Sequence, residues 1–336
     1  MNCTLPTLNT EALHRSLLGP VGEYQRVDVV DEIGSTNAEL ANSAASQPEN
    51  FPDRSVLMAN SQVAGKGRLD RVWEVPAGTA MISSVLLRPS ECAAQIGAPQ
   101  FASSGYGWLS VIAGVALCQA VTEESGVLAV LKWPNDVLVE GRKLSGILAQ
   151  MVPVQRVPKQ TASAPEVPTQ TGQRPSEQTQ SAQTLSERVP SAPMQGPAVV
   201  VGAGVNISQT REQLPVDRAT SLLLEGGTQL DRNQLLPAYL NRFARLYRGF
   251  VSVGGDAWRP VAGGESIHGL ASGLMSTLGT SVRAELPGGV MLYGTAAGLN
   301  LRGELEIHGD DGSVHVVSAG DVVHLRRVGG GGIDYA

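Results

Sequence analysis

The chain has 336 residues, 42% of them hydrophobic and 17% charged, with 31 acidic against 25 basic side chains. That length supports a full core and room for two domains, while a formal net charge of −6 argues against a general nucleic-acid binder, which would need a basic face. Cys3, Cys92 and Cys118 are odd in number and widely spaced, so they offer neither a disulfide framework nor a metal cluster and fit a reducing compartment. The N-terminus has no charged region followed by an apolar core, and no run of about eighteen apolar residues occurs, so a cytoplasmic protein without a membrane span is expected.

Residues 1–26 hold one short helix, Glu11 to Leu18, ended by Gly19-Pro20. Val27 to Val30 reads as a strand, and Thr36-Asn37-Ala38-Glu39 forms a capping-box pattern ahead of an alanine-rich helix to about Ala45. Val56 to Ala59 is a second strand. It leads into Gln62 to Trp73, Gln-Val-Ala-Gly-Lys-Gly-Arg-Leu-Asp-Arg-Val-Trp. There Gly65 and Gly67 let backbone come close to a ligand, and Lys66, Arg68 and Arg71 bring three cations within six residues. Such a loop suits polyphosphate, although a basic surface turn between strands has the same composition. It is not a P-loop, having no Gly-Lys-Ser/Thr, and not a dinucleotide fingerprint, having no third glycine and helix.

Ala80 to Arg88 is strand-like, and Gly105 to Glu124 is a helix apolar around much of its circumference and therefore buried. Val127 to Trp133 returns to strand and Pro134-Asn135-Asp136 breaks it. Val137 to Val139 and Leu144 to Met151 then make a hairpin around Glu140-Gly141-Arg142. From about Val152 to Pro197 the composition shifts to Gln, Ser, Thr and Pro without periodicity, and eight of the chain's twenty prolines fall there. Disorder is expected for that stretch. Ala198 to Val201 resumes the sheet. Asp231-Arg232-Asn233-Gln234 is a second capping box, followed by Leu235, Tyr239, Leu240, Phe243, Leu246, Tyr247 and Phe250 at helical spacing, a core stripe. Turn signals at Pro287-Gly288-Gly289, Arg302-Gly303 and Asp310-Asp311-Gly312 then predict a small β-barrel, in which His324, lacking a metal-ligand partner at useful spacing, reads as structural.

Five segments stand in one order across Asp28 to Ser208: Ser35-Thr36-Asn37, the basic loop, Lys132-Trp133-Pro134-Asn135-Asp136, Lys143-Leu144-Ser145-Gly146-Ile147-Leu148, and Gly202-Ala203-Gly204-Val205-Asn206-Ile207. Together they resemble the catalytic domain of a biotin–protein ligase, and residues 263–328 resemble that family's small C-terminal domain. The resemblance implies an α+β fold: a mixed β-sheet flanked by helices, as in class II aminoacyl-tRNA synthetases and biotin–lipoate ligases, with a C-terminal Src-homology-3-like β-barrel. It divides the chain into an N-terminal segment 1–26, a catalytic domain 27–258 with the insertion at about 152–197, and a C-terminal domain 263–328. The N-terminal segment is too short for the winged helix of repressor-type relatives, so a ligase-only form without DNA binding is expected; a homodimer stays open.

The implied reaction joins biotin to a lysine of a biotin carboxyl carrier protein in two steps, through a biotinyl adenylate, with pyrophosphate and then AMP released. By resemblance, Ser35, Thr36, Asn37 and Gln62 bind the biotin head group. Caps are the commoner use of such residues, but a helix N-terminus with spare hydroxyls also offers the donors and acceptors that a ureido ring needs. Lys132 and Arg68 are the candidate catalytic residues, Lys132 near the carboxylate and α-phosphate and Arg68 on the intermediate and the closing loop. A strand-end lysine more often snorkels from a sheet edge, but the proline after Trp133 leaves Lys132 aimed across the strand ends, where open sheets bind ligands. Lys66 and Gly67 complete the substrate site, Arg71 supports the phosphates, Trp73 stacks on adenine, and Asn135 and Asn206 hold the nucleotide. Magnesium is expected to arrive on ATP.

Two positions depart from the family pattern. Lys66 stands where Arg is usual, keeping charge without the bidentate fork, and Asp70 stands where glycine is common. Two other readings compete: a lipoate–protein ligase, which lacks this motif set, and a non-catalytic biotin-binding regulator, which pyrophosphate release would dismiss. The insertion of roughly 45 residues adds little closure entropy, about 0.6 kcal/mol per doubling of loop length. Replacing Val154 to Gly196 by a short Gly/Ser turn is therefore expected to leave ligation nearly intact; a large loss of activity or of thermal stability in that variant would give the insertion a structural role.

Overall fold

The protein is described by a computed structural model covering residues 5–68, 71–153, 196–261, 264–286, 290–318, 321–327 and 333–335. Helix α1 (Thr10–Leu17) leads into β1 (Arg26–Ile33) and α2 (Thr36–Ser46). Strand β2 (Ser55–Gln62), the two-residue strands β3 (Gly65–Lys66) and β4 (Val72–Trp73), and β5 (Ala80–Leu87) follow. Helices α3 (Pro89–Gln95) and α4 (Trp108–Ser125) precede β6 (Val130–Lys132), β7 (Asp136–Val139), β8 (Arg142–Met151) and β9 (Val199–Asn206). Helices α5 (Arg232–Ser252) and α6 (Ile267–Leu274) lead to β10 (Ser281–Leu286), β11 (Val290–Leu299), β12 (Leu305–His308), β13 (Val314–Val317), β14 (Asp321–Arg327) and β15 (Ile333–Tyr335).

The first seven-stranded sheet has the order β1-β2-β5-β9-β8-β7-β6. Strands β1 and β2 run parallel and the other neighbours antiparallel, so the sheet is mixed, as expected. Both faces are covered, which is why β5 is buried along its whole length. Met81, Val85 and Leu87 face the core built on α4 and α5. On the opposite face Leu86, Leu57 and Val200 pack against Leu40, Ala41 and Ala44 of α2. Helix α4 is long and apolar enough to cross a bilayer by length and composition, but it lies inside this core, with Trp108, Ile112, Val115 and Cys118 fully buried. The expected α5 stripe is the other half of the core: Leu235, Tyr239, Leu240, Phe243, Tyr247 and Phe250 are buried.

Several local expectations shift. The N-cap of α2 is Ser35, whose side chain accepts from Ala38 N–H at 3.5 Å, one residue before the position the capping box predicts. Thr36 is drawn into the helix because its hydroxyl donates to Gln62 Oε1, and Glu39 accepts from Ser43 Oγ instead of returning to the cap. At α5, Asp231 caps as expected, but its own N–H donates to Gln229 Oε1, not to Gln234. Strand β6 has three residues where seven were expected, since Val127 and Ala129 are buried without joining the ladder. The C-terminal segment was expected to be all β, yet it opens with α6, capped by Ser266 onto Gly269 N–H at 3.1 Å. Gly269 and Gly273 lower its helix propensity, which hid it. Helix α3 was also missed; it starts on Pro89, a residue well suited to a first helical turn.

Six antiparallel strands in the order β13-β12-β11-β10-β14-β15 form the expected C-terminal β domain. Val282, Ala284, Ala296, Leu305 and Ile307 line its buried face and continue the core of the first sheet. Leu69 and Asp70, residues 154–195, and the Pro287-Gly288-Gly289 turn lie outside the described residues. The strand ends flanking residues 154–195 are adjacent, because Val152 N–H donates to Ala198 O at 2.9 Å.

One fully buried carboxylate ties the layers together. Asp53, on the loop before β2, accepts from Tyr247 Oη at 2.9 Å, Arg88 N–H at 2.7 Å and Arg54 Nε at 3.1 Å. Burial still holds its carboxyl above the ordinary range, against the pull of these donors. Tyr247→Phe removes one donor from a group that water cannot reach, and is expected to lower unfolding stability by about 1–3 kcal/mol. An unchanged urea midpoint for Tyr247→Phe would show that the remaining donors satisfy Asp53 unaided.

Candidate active site

A cavity of about 510 Å³ opens on the α2 side of the first sheet. Its walls come from the N-terminus of α2, the end of β2, the β3–β4 hairpin, the β6–β7 turn, β8, β9 and residues 215–219. All twelve candidate site residues line it: Ser35, Thr36, Asn37, Gln62, Lys66, Gly67, Arg68, Arg71, Trp73, Lys132, Asn135 and Asn206. The basic loop is less irregular than its composition suggests. Gly65 pairs with Trp73 and Lys66 with Val72, so the cations belong to a short hairpin; Leu69 and Asp70 lie outside the described residues.

At one end the cavity wall is a chain of hydrogen bonds. Gln62 Oε1 accepts from Thr36 N–H at 2.7 Å and from Thr36 Oγ1 at 2.9 Å, which leaves the Gln62 amide NH₂ as its group for a ligand. Ser84 Oγ lies 2.7 Å from Thr36 Oγ1 and 2.6 Å from Asn37 Oδ1, and its single proton serves one of them at a time. Asn37 Nδ2 donates to Leu148 O at 3.0 Å, so both ends of that amide are engaged within the protein and it braces α2 against β5 and β8. Asn206 is placed the same way, donating to Thr220 O at 2.9 Å and accepting from Gln209 Nε2 at 3.1 Å.

The floor is backbone. A Cβ at Gly202 would lie 2.1 Å from Asn37 Oδ1, and one at Gly204 would lie 2.7 Å from the Trp73 ring. Only glycine permits either approach. Trp73 thus packs against β9, with its indole N–H buried and without a hydrogen-bond partner among the described residues.

Between these ends the wall is cationic. Lys66, Arg68, Arg71, Lys132, Lys143 and Arg218 line the cavity, against the carboxylates of Asp136 and Glu74. Arg68 Nη1 donates to Asn135 Oδ1 at 3.2 Å, and Asn135 Nδ2 donates to Ile147 O at 2.9 Å, so the hairpin is tied through Asn135 to β8. Lys143 Nζ pairs with Asp136 Oδ1 at 2.6 Å. Residues 218–220 flank the start of β8, with Lys143 N–H donating to Arg218 O at 2.7 Å and Thr220 N–H to Lys143 O at 2.8 Å. Ser84, Lys143, Arg218 and the glycine floor were not singled out as site residues by sequence reasoning. A signal existed for the floor: Gly202, Gly204 and Asn206 alternate, which in a strand places all three on one face. Ser84 and Arg218 lie in no motif and carry no such signal.

Such a cavity can hold a compact polar ring at the α2 end and anions along its cationic wall. Residues 32–162 match the Biotin/lipoate A/B protein ligase family, and residues 277–325 match the Biotin protein ligase C terminal domain. Over 325 residues the chain is 33% identical to the biotin--[acetyl-CoA-carboxylase] ligase of Mycobacterium tuberculosis, spanning 96% of this chain and 97% of that one. It is 28% identical over 315 residues to the bifunctional ligase/repressor BirA of Bacillus spizizenii, spanning 93% of this chain and 75% of the relative. The fold is shared with a biotin protein ligase from Aquifex aeolicus solved in complex with biotin and ATP, at a TM-score of 0.61 and 22% identity, covering 91% of this chain and 100% of that one. With its cavity built from the five ordered motifs and its sequence aligned end to end with a ligase of this kind, the chain belongs to the biotin protein ligase family.

Proposed function

We propose that the protein is a biotin–[biotin carboxyl carrier protein] ligase, which uses ATP to attach biotin to one lysine of the carrier of acetyl-CoA carboxylase. The observation that carries this reading is one cavity that holds a donor–acceptor cluster at one end and six cationic side chains beyond it. Thr36, Gln62 and Ser84 face the ureido ring, Gln62 offering N–H groups to its carbonyl. Asn37 holds that wall in place. The bicycle lies between the α2 wall and Trp73, which meet on the glycine face of β9.

In the first step a biotin carboxylate oxygen bonds to the α-phosphorus of ATP, the bond from that phosphorus to the bridging oxygen breaks, and pyrophosphate leaves. Two anions must meet, so cations fixed in advance are the main means of lowering the barrier. Lys132 and Arg68 take that role, joined by Lys143, while Lys66 and Arg71 at the cavity mouth meet the outer phosphates. Trp73 and Asn206 border the nucleotide. Magnesium is taken to arrive bound to ATP, neutralising the triphosphate. In the second step the carrier lysine amine attacks the acyl carbon, the carbonyl–phosphate bond breaks, and AMP carries away the electron pair. No enzyme nucleophile is required.

Lys132→Ala is expected to lower biotin-dependent pyrophosphate release by about 100-fold or more, the usual consequence of deleting one group that meets transition-state charge. Lipoate offered in place of biotin should give no release. A folded Lys132→Ala protein with parental turnover, or a parent that prefers lipoate, would refute the assignment.

Arg68 also ties the hairpin to Asn135, and the adenylate must be retained until the carrier arrives. Arg68→Gly is therefore expected to make adenylate but release it sooner, so that labelled biotin appears on bystander proteins in a mixture. Lys66→Ala should be milder, since a lone ammonium lacks the planar fork. If Arg68→Gly makes adenylate yet labels bystanders no more than the parent does, the hairpin is not the element that retains it.

A further inference from the structure

Strand β6 ends on Lys132, yet the first sheet fixes it weakly. The strand has three residues, pairs only with β7, and stops at Trp133-Pro134. Its outer edge is not left to water. Leu131 O accepts from both Ser276 N–H and Ser276 Oγ at 2.8 Å, and Leu131 bridges Met275 in parallel fashion. Trp133 N–H donates to Thr277 Oγ1 at 2.9 Å. The residues before and after Lys132 are therefore both gripped by the segment that opens the C-terminal β domain. A second grip reaches the same place: Trp133 Nε1 donates to Gly303 O at 3.0 Å, and the Asn300–Gly303 turn is itself locked by Asn300 Oδ1, which accepts from Arg302 and Glu304 N–H.

We propose that Thr277 is a positioning residue for adenylation, fixing Lys132 through the backbone of Trp133, so that the C-terminal domain completes the geometry of the active site without lining it. The proposal rests on the role given to Lys132. Thr277 is fully buried, and its hydroxyl is the acceptor for a main-chain donor that water does not reach. Without that acceptor the donor must move or go unpaired, and the adjacent lysine moves with it. Misplacement of a reacting group by about 1 Å can cost on the order of 100-fold in rate, whereas the α2 end, far along the cavity, is unaffected. A purely stabilising contact would not separate the two.

The test uses the full chain and biotin-dependent pyrophosphate release. Thr277→Val, similar in shape and without the acceptor, is expected to lower kcat by about tenfold while the KM for biotin changes less than about twofold. Thr277→Ser restores the acceptor and should recover kcat to within about twofold of the parent. In single-turnover formation of labelled adenylate by Lys132→Ala, adding Thr277→Val should cause no further loss, because its effect passes through the lysine. A folded Thr277→Val protein with parental kcat, or a loss that persists in full in the Lys132→Ala background, would overturn the proposal. Parental activity in Lys132→Ala alone would overturn the role of Lys132 instead, read from a different variant. If Thr277→Val does not fold, Thr277→Ala carries the test: it removes the same acceptor from Trp133 N–H, and parental kcat there would overturn the proposal.

Discussion

The cavity depends on one steric constraint, the bare face of β9. Side chains at positions 202 and 204 would stand where the Asn37 carbonyl oxygen and the Trp73 ring now lie, at 2.1 and 2.7 Å from an added Cβ. At Gly202 the contact cannot be relieved cheaply, because Asn37 is bonded to Leu148 O and to Ser84 and cannot retreat without breaking the wall. Two missing side chains therefore let a helix N-terminus and a hairpin from opposite sides touch the same strand. The cleft lies between them.

From that contact the α2 end follows. Ser35 caps the helix, which frees Thr36 to point both its N–H and its hydroxyl at Gln62 Oε1. Those two bonds orient the glutamine amide, and an oriented amide distinguishes a carbonyl from an N–H on the ligand. Specificity at this end is thus set by which groups the protein has already used internally. The unused ones define the ligand's complement.

Much of this was legible in the chain. The mixed sheet and its hairpin, the buried α4 and the α5 stripe follow from hydrophobic period, and the twelve candidate residues meet in one cavity because their motifs sit at strand ends and at one helix start. What escaped were features without local signature. Lys143 lies in a quoted motif, but nothing in the motif shows that its ammonium meets Asp136 across β7 and β8. Ser84 is a small polar residue on a central strand, and only the approach of α2 gives it a purpose. Helix α6 fell between glycines that mask its period, and the cap of α2 slipped by a residue because a tertiary partner, Gln62, claimed Thr36. In each case a long-range contact outweighed the local preference.

Six cations around one cavity in a chain of net charge −6 pose an electrostatic problem when no phosphate is bound. Like charges in a cleft disfavour each other, and low-dielectric walls strengthen the repulsion. The protein answers by lending partners that an anion can replace or outbid. Lys143 rests on Asp136, and Arg68 on the carbonyl oxygen of Asn135, itself fixed by Ile147 O. Both partners come from the β6–β7 turn that follows Lys132, so the turn that presents one cation also restrains two others. That contact keeps the guanidinium on the cavity wall, where a phosphate would meet it. The Lys143–Asp136 ion pair likewise holds its ammonium on the sheet before substrates arrive. Part of the cationic wall is thereby placed by contacts made within the protein, so the anion it meets need not assemble it.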